Sequence, residues 1–237
     1  MRKKMKKSAA TISEQKLLCE NLSFAGSEAY KRLRMNLLLS FPDEQKCRVI
    51  GVTSSNRGDG KSVTSINLAY TLSETGKKTL LIEADMRLPN HARRLGLAET
   101  PGLSNLLVDL AKQSEVLQNV PVQECFHVIT AGDVPPNPAE LLGSNRMKNC
   151  VEEFSSQYDY IVIDLPPVNI VSDALEVARI VDGFVFVVRQ EHSTRQAVLQ
   201  AINQMEMVGA KILGFVMNNA RAIGNGRYYR KDGYYRD

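Results

Sequence analysis

From Cys47 onward the chain alternates short runs of β-branched and aliphatic residues with stretches whose apolar positions return every three to four residues. Six of the runs read as strands: Arg48 to Thr53, Thr79 to Ala84, Phe126 to Thr130, Tyr160 to Asp164, Gly183 to Arg189 and Lys211 to Met217. Each is too apolar to be half exposed, which predicts cover on both faces, as in a parallel sheet between two helical layers. Between them, Lys61 to Glu74 sets Val63, Ile66, Ala69 and Leu72 on one helical face, and Thr194 to Val208 does the same with Val198, Ile202, Met205 and Val208. The pattern predicts an α/β fold of the P-loop NTPase kind: a mostly parallel central sheet with helices on both faces.

The same patterning divides the chain. Residues 1–26 form a basic N-terminal segment without apolar periodicity. Ser27 to Leu39 has a helical pattern, with Tyr30, Leu33 and Leu37 apolar and Lys31, Arg32 and Arg34 basic, and reads as a helix added outside the sheet. Residues 27–219 are expected to be one domain, since 237 residues fit a single α/β unit. After Asn219 the pattern gives way to Arg, Gly, Asn and Tyr, so residues 220–237 are expected to be a flexible tail.

Composition and charge narrow the function classes. Cys19, Cys47, Cys125 and Cys150 are scattered and the three histidines dispersed, which leaves neither a disulfide framework nor zinc spacing. The net charge of +4 is uneven: residues 1–7 carry +5 and residues 221–237 carry +3, leaving −4 on the body. A nucleic-acid-binding body would carry its own basic face, so no nucleic-acid partner is expected; basic ends suit an anionic membrane surface or solvated termini. The longest apolar runs fall far short of the ~20 residues that span a bilayer. No apolar region follows the basic start, so a secretory leader is not expected and the chain is placed in the cytoplasm.

Ser55 to Ser62 reads S-N-R-G-D-G-K-S between the first strand and the helix that starts at Lys61. In that setting Gly58 and Gly60 let the backbone turn so that its N–H groups face phosphate, and the following helix presents its positive N-terminus. Lys61 then bridges phosphates, and the Ser62 hydroxyl binds magnesium. Gly58, Asp59, Gly60, Lys61, Ser62 and Val63 are the residues expected to meet ATP. Two further strands end in acid: Thr79 to Ala84 runs into E-A-D-M-R, and Tyr160 to Asp164 has the Walker B arrangement. Ligands of such sheets bind at the carboxyl edge, so Ser62, Glu83, Asp85 and Asp164 are expected around one Mg2+.

With these motifs in place, the chain resembles the bacterial tyrosine kinases of capsule and exopolysaccharide synthesis, in the free cytoplasmic form known as the CpsD/CapB type. The likeness runs over nearly the whole length: E-A-Y-K-R-L-R around Glu28, Lys31 and Arg34; the P-loop; D-M-R-L-P-N-H-A-R-R-L-G-L-A-E-T-P-G-L-S-N-L-L from Asp85; A-G-D-V-P-P-N-P-A-E-L-L from Ala131; and D-L-P-P-V-N-I-V-S-D-A from Asp164. The proline-rich segment is particularly specific to the family. The resemblance implies an ATP-dependent protein-tyrosine autokinase with Lys61, Glu83, Asp85 and Asp164 in the catalytic centre and Asn218 on the adenine ring. It implies Tyr228, Tyr229, Tyr234 and Tyr235 as phosphate acceptors, and these put half of the chain's tyrosines into its final ten residues.

The resemblance also implies partners. Glu28, Lys31 and Arg34 correspond to an interface motif of a ring-shaped homo-oligomer, octameric in the family. Activation is implied by the cytoplasmic segment of a membrane polysaccharide co-polymerase, which would recruit the chain to the inner face of the membrane, and resetting by a protein-tyrosine phosphatase. Here Lys31 stands where the family commonly has Arg, and Glu83 where it usually has Asp. A phenol with a pKa of ~10 attacks phosphate more readily beside a carboxylate that takes its proton, for which Glu83 and Asp85 are the candidates. Two alternatives stay open. A ParA/MinD-type positioning ATPase shares the fold but has a second lysine where this chain has Asn56, and a nucleotide-binding regulator would transfer little phosphate.

Overall fold

The computed structural model describes residues 22–41, 47–121 and 123–220. The strands are β1 (Arg48–Ser54), β2 (Thr79–Glu83), β3 (Gln118–Val120), β4 (Gln123–Ile129), β5 (Tyr160–Asp164), β6 (Gly183–Arg189) and β7 (Ile212–Asn218). They form one sheet in the order β3-β4-β2-β5-β1-β6-β7. Every neighbouring pair is parallel except β3 with β4. The central strands show why their runs are continuously apolar. Leu80, Ile82, Ile161 and Ile163 point into one core, while Leu81 and Val162 point into the core on the opposite face. Successive side chains of a strand face opposite ways, so burial on both faces needs an unbroken apolar run.

The helices are α1 (Phe24–Leu38), α2 (Lys61–Ser73), α3 (His91–Leu95), α4 (Leu103–Leu107), α5 (Gln113–Val116), α6 (Pro138–Leu142), α7 (Asn145–Ser155), α8 (Asp173–Glu176) and α9 (Arg195–Met207). All of α2 except Val63 is buried. Several of its polar side chains are buried at little cost because they bond back along the helix: Thr71 Oγ1 donates to Asn67 O at 3.0 Å, and Asn67 Nδ2 to Val63 O at 2.8 Å. Helix α1 contributes to this enclosure. Tyr30, Leu33 and Leu37 join the core that holds α2, and the Arg34 guanidinium donates to Thr71 O near the end of that helix. The predicted helix outside the sheet is thus present, displaced toward Phe24.

Two features depart from the expectation. Strand β7 is not covered on both faces: Phe215 and Met217 are 55% and 59% exposed, because β7 is an edge strand. Strand β3 and the short helices α3 to α6 and α8 were not marked, and neither was α7, although Met147, Cys150, Val151 and Phe154 are buried at helical spacing. Among the described residues no helix is long and apolar enough to cross a membrane. Tyr228, Tyr229, Tyr234 and Tyr235 lie outside the described residues.

The segments around Leu103 and Ala131 are stitched to one another. Leu103 N donates to Thr130 O at 2.8 Å, Ser104 N to Ala131 O at 2.9 Å, and Asn105 Nδ2 to Asp133 Oδ2 at 2.7 Å. Gly102 permits this approach, because a Cβ there would fall 2.3 Å from both Thr130 O and Gly132 N. Gly102→Ala must therefore push two backbone segments apart. The expected outcome is a loss of ~1–3 kcal/mol of unfolding free energy in urea titrations, the range seen for overpacking.

Candidate functional site

The carboxyl ends of β1, β2, β5, β6 and β7 meet around the P-loop. Gly60 sits at φ 99° immediately before α2, in the left-handed region that favours glycine, and a Cβ there would fall 1.9 Å from Asn218 Nδ2. Asn218, at the end of β7, donates from that nitrogen to Asp59 O at 2.9 Å. A recess of about 400 Å3 opens here, lined among others by Gly58, Lys61, Ser62, Val63, Asp85 and Asn218. The residues expected to contact nucleotide are therefore gathered on one wall, apart from Asp59, whose side chain is buried beneath it.

Asp59 holds the loop in shape. Its Oδ2 accepts from Asn56 N at 3.1 Å and Ser55 Oγ at 3.3 Å, while its Oδ1 accepts from Ser193 Oγ at 2.6 Å and lies 2.9 Å from His192 Nδ1. Arg189 Nη1 donates to Gly58 O at 3.0 Å. The loop after β6 thus braces the P-loop, a role the sequence analysis missed. Its signal was available, since Arg189 ends, and His192 and Ser193 follow, a strand whose carboxyl end faces the ligand edge.

Below the loop lies a dry cluster of charge. Lys61 Nζ donates to Asp85 Oδ2 at 2.7 Å and approaches Ser62 Oγ at 3.4 Å. Burial alone would lower the Lys61 pKa, but the charges of Asp164 and Asp85 outweigh it and hold the ammonium above its ordinary value. Asp164 is fully buried, and neither of its oxygens has an aligned hydrogen bond. Burial raises its pKa against the opposing pull of Lys61 and His91 and of the nearby Ser62 hydroxyl. A buried carboxylate in this condition calls for a cation or a cation-bound water.

Glu83, expected beside the metal, has its carboxylate engaged by main-chain donors. Its Oε1 accepts from Asn90 N at 2.5 Å and His91 N at 2.8 Å, and its Oε2 from Ala131 N at 3.2 Å. The fully buried His91 ring puts Nδ1 3.0 Å from Glu83 Oε1, off hydrogen-bond alignment, and Nε2 3.6 Å from Asp164 Oδ2. Burial would raise the Glu83 pKa; the His91 charge and the donors from His91 and Asn90 overcome it and lower the pKa to about 2. For His91 burial pulls the pKa down, and Glu83 followed by Asp164 brings it above the ordinary value. A lone histidine gave no sequence signal for this role.

The fit to Mg2+ rests on what remains. Among the described residues no three His, Cys, Asp or Glu side chains are grouped to hold a metal by themselves. Magnesium commonly takes one or two carboxylates together with substrate phosphates, which suits Asp164, whose oxygens lack a well-aligned hydrogen bond, the neighbouring Asp85 and the Ser62 hydroxyl. Such an ion would neutralise charge on the phosphates. Of the expected interface residues, Arg34 bonds to α2, and Lys31 Nζ pairs with Glu28 Oε1 of the same helix at 3.0 Å.

Comparison with known proteins agrees with this fold. A family model described as "AAA domain" matches residues 47–214. The chain is 36% identical over 203 residues to a putative tyrosine-protein kinase CapB of Staphylococcus aureus, covering 86% of this chain and 88% of that one. It is 32% identical over 232 residues to the tyrosine-protein kinase YwqD of Bacillus subtilis (strain 168), covering 98% and 92%. Among solved structures, the chimerical protein CapA2B2 is similar with a TM-score of 0.82 at 31% identity, covering 89% of this chain and 91% of that one.

Two outcomes follow from the site. A carboxylate whose folded pKa lies below its unfolded one binds fewer protons when folded, so its stabilisation is complete above pH ~4.5 and is lost as pH falls toward ~2. Glu83→Gln should therefore cost on the order of 3 kcal/mol at pH 7 and flatten the acid decline in urea midpoints measured stepwise below pH 5. Ser193→Ala removes one donor to Asp59, worth ~1 kcal/mol, and should weaken nucleotide binding about fivefold in a fluorescent-nucleotide titration.

Proposed function

We propose that this chain, which belongs to the bacterial tyrosine kinases, transfers the γ-phosphate of ATP to tyrosines of its own C-terminal segment, between subunits, and so regulates capsule or exopolysaccharide synthesis and export. The observation that carries this reading is the joint presence of a P-loop site built around Lys61, Ser62, Asp85 and Asp164 and a C-terminal segment holding half of the chain's tyrosines. In the proposed step the phenol oxygen forms a bond to the γ-phosphorus, the bond from that phosphorus to the β–γ bridging oxygen breaks, and ADP leaves. Asp85 is the group that takes the phenolic proton. Lys61 leaves Asp85 for the phosphates as nucleotide binds, and thereby frees the carboxylate for that role. Glu83, closed off by main-chain donors and His91, supports the site and does not act as base.

The partners are part of the proposal. Helix α1 with Glu28, Lys31 and Arg34 would meet a neighbouring copy in a ring. The cytoplasmic segment of a membrane polysaccharide co-polymerase would activate the kinase and hold it at the membrane, and a protein-tyrosine phosphatase would reset it. Glu83, where the resemblance leads one to expect Asp, keeps open the alternative of a nucleotide-binding regulator with little transfer. Asn56 in place of a second P-loop lysine argues against a positioning ATPase.

The test is incubation of wild type, Lys61→Met and a chain truncated after Asn219 with ATP and Mg2+, with and without the partner's cytoplasmic segment, read by anti-phosphotyrosine antibody. Phosphotyrosine is expected on wild type alone. Phosphate persisting on the truncated chain removes the C-terminal segment from the mechanism, and a wild type silent in both conditions favours the regulator.

A further inference from the structure

Besides Lys61, the recess at the P-loop is lined by three arginines, Arg57, Arg94 and Arg189, and they differ in what already engages them. Arg57 is exposed, and Arg189 donates to Gly58 O at 3.0 Å, which commits it to bracing the loop. Arg94, on α3, is half-buried and donates from Nε to Asn90 Oδ1 at 2.7 Å. Its two Nη groups have no hydrogen-bond or ion-pair partner among the described residues. Arg87 shows the contrast: its Nε and Nη2 each donate to an oxygen of Asp173 at 3.0 Å. A guanidinium fixed along one edge and open along the other is a planar fork prepared for an anion with two oxygens to offer, such as a phosphate.

Side-chain contacts order the recess from end to end. Asn218 stands against Gly60, Lys61 and Ser62 follow, Asn90 Nδ2 lies 3.5 Å from Ser62 Oγ, and Arg94 is bonded to Asn90. With the base toward Asn218, as the resemblance implies, and the phosphates along the loop, the terminal phosphate is carried toward Asn90 and Arg94. We propose, resting on the ATP site of the kinase reading above, that Arg94 is a further catalytic residue, whose open Nη groups hold oxygens of the γ-phosphoryl group of ATP. They stabilise the charge that gathers there as the group is transferred, the part an arginine supplied in cis plays in other P-loop enzymes. The guanidinium keeps all its protons, so the bonds made and broken are those already written. Lys61 is tied to Asp85 and must move to reach phosphate, whereas Asn90 orients Arg94 in advance. A donor oriented in advance costs no reorganisation when the charge develops.

The test titrates the full chain, with Mg2+ present, against fluorescent ADP, a fluorescent non-hydrolysable ATP analogue, and fluorescent ADP with aluminium fluoride, which imitates the phosphoryl group during transfer. Arg94→Gln is expected to keep ADP affinity within twofold of wild type, to weaken the ATP analogue about tenfold, the scale of one charge-assisted contact, and to abolish the gain from aluminium fluoride. The intact ADP affinity certifies the fold. Arg94→Lys keeps the charge without the fork and should also lose the aluminium fluoride gain; it decides the matter if Arg94→Gln disturbs ADP binding. Arg93→Gln removes the same charge one residue away, at an exposed position, and should leave all three affinities within twofold. Phosphotyrosine formation by Arg94→Gln, measured with the partner's cytoplasmic segment, should fall about a thousandfold. An ATP-to-ADP affinity ratio within twofold of wild type in Arg94→Gln overturns the assignment, and so does an equal loss in Arg93→Gln, which would reduce the effect to charge alone. A wild type that forms no phosphotyrosine, yet loses its preference for the ATP analogue with Arg94→Gln, brings down the kinase reading and leaves the γ-phosphate contact standing.

Discussion

Lys61, Glu83, Asp85, His91 and Asp164 are enclosed together at one end of the sheet, and the site depends on their cancelling one another's charge. Each would be costly to bury alone. Arranged as they are, Lys61 answers Asp85 and Asp164, while His91 stands between Glu83 and Asp164. The balance is incomplete at Asp164, whose oxygens no protein donor reaches in alignment. That shortfall is where a cation fits. Glu83 fits into the same balance because the main-chain N–H groups of Asn90, His91 and Ala131 close around its carboxylate.

Rigidity around this cluster comes from elements distant in sequence. Asp59 gathers donors from the P-loop itself and from the loop after β6, and Asn218 closes over Gly60 from the edge strand. The phosphate-facing backbone is thereby shaped by the protein alone, which spares a nucleotide the cost of ordering it. On the other flank, α4 and the segment Thr130 to Asp133 are bonded into one block, so both sides of Asn90 are walled by fixed structure.

The sheet and the phosphate loop were largely legible in the sequence, for reasons that lie in their chemistry. Tyr160–Asp164 and Gly183–Arg189 emerged with the bounds read from the sequence, because burial on both faces demands an unbroken apolar run. Lys61, Ser62 and Asp85, expected from the chemistry of phosphate and magnesium, lie together at the recess, with Asp164 buried beneath them. The failures have the opposite cause. Gln118–Val120 is short and polar and becomes a strand only by pairing with β4. The open face of β7 depends on which strand ends the sheet, a matter of topology that its own residues do not encode. His91, His192 and Ser193 act through partners that lie far away along the chain or that looked destined for another role, as Glu83 did.

Helix α2 has a mechanical consequence. It begins with Lys61 and Ser62, runs for 13 residues, about 20 Å, and is held near its far end by Arg34 of α1. Because it is enclosed nearly all round, it has little room to bend. It therefore works as a stiff spacer, fixing the distance between Arg34 of α1 at one end and Lys61 and Ser62 in the recess at the other.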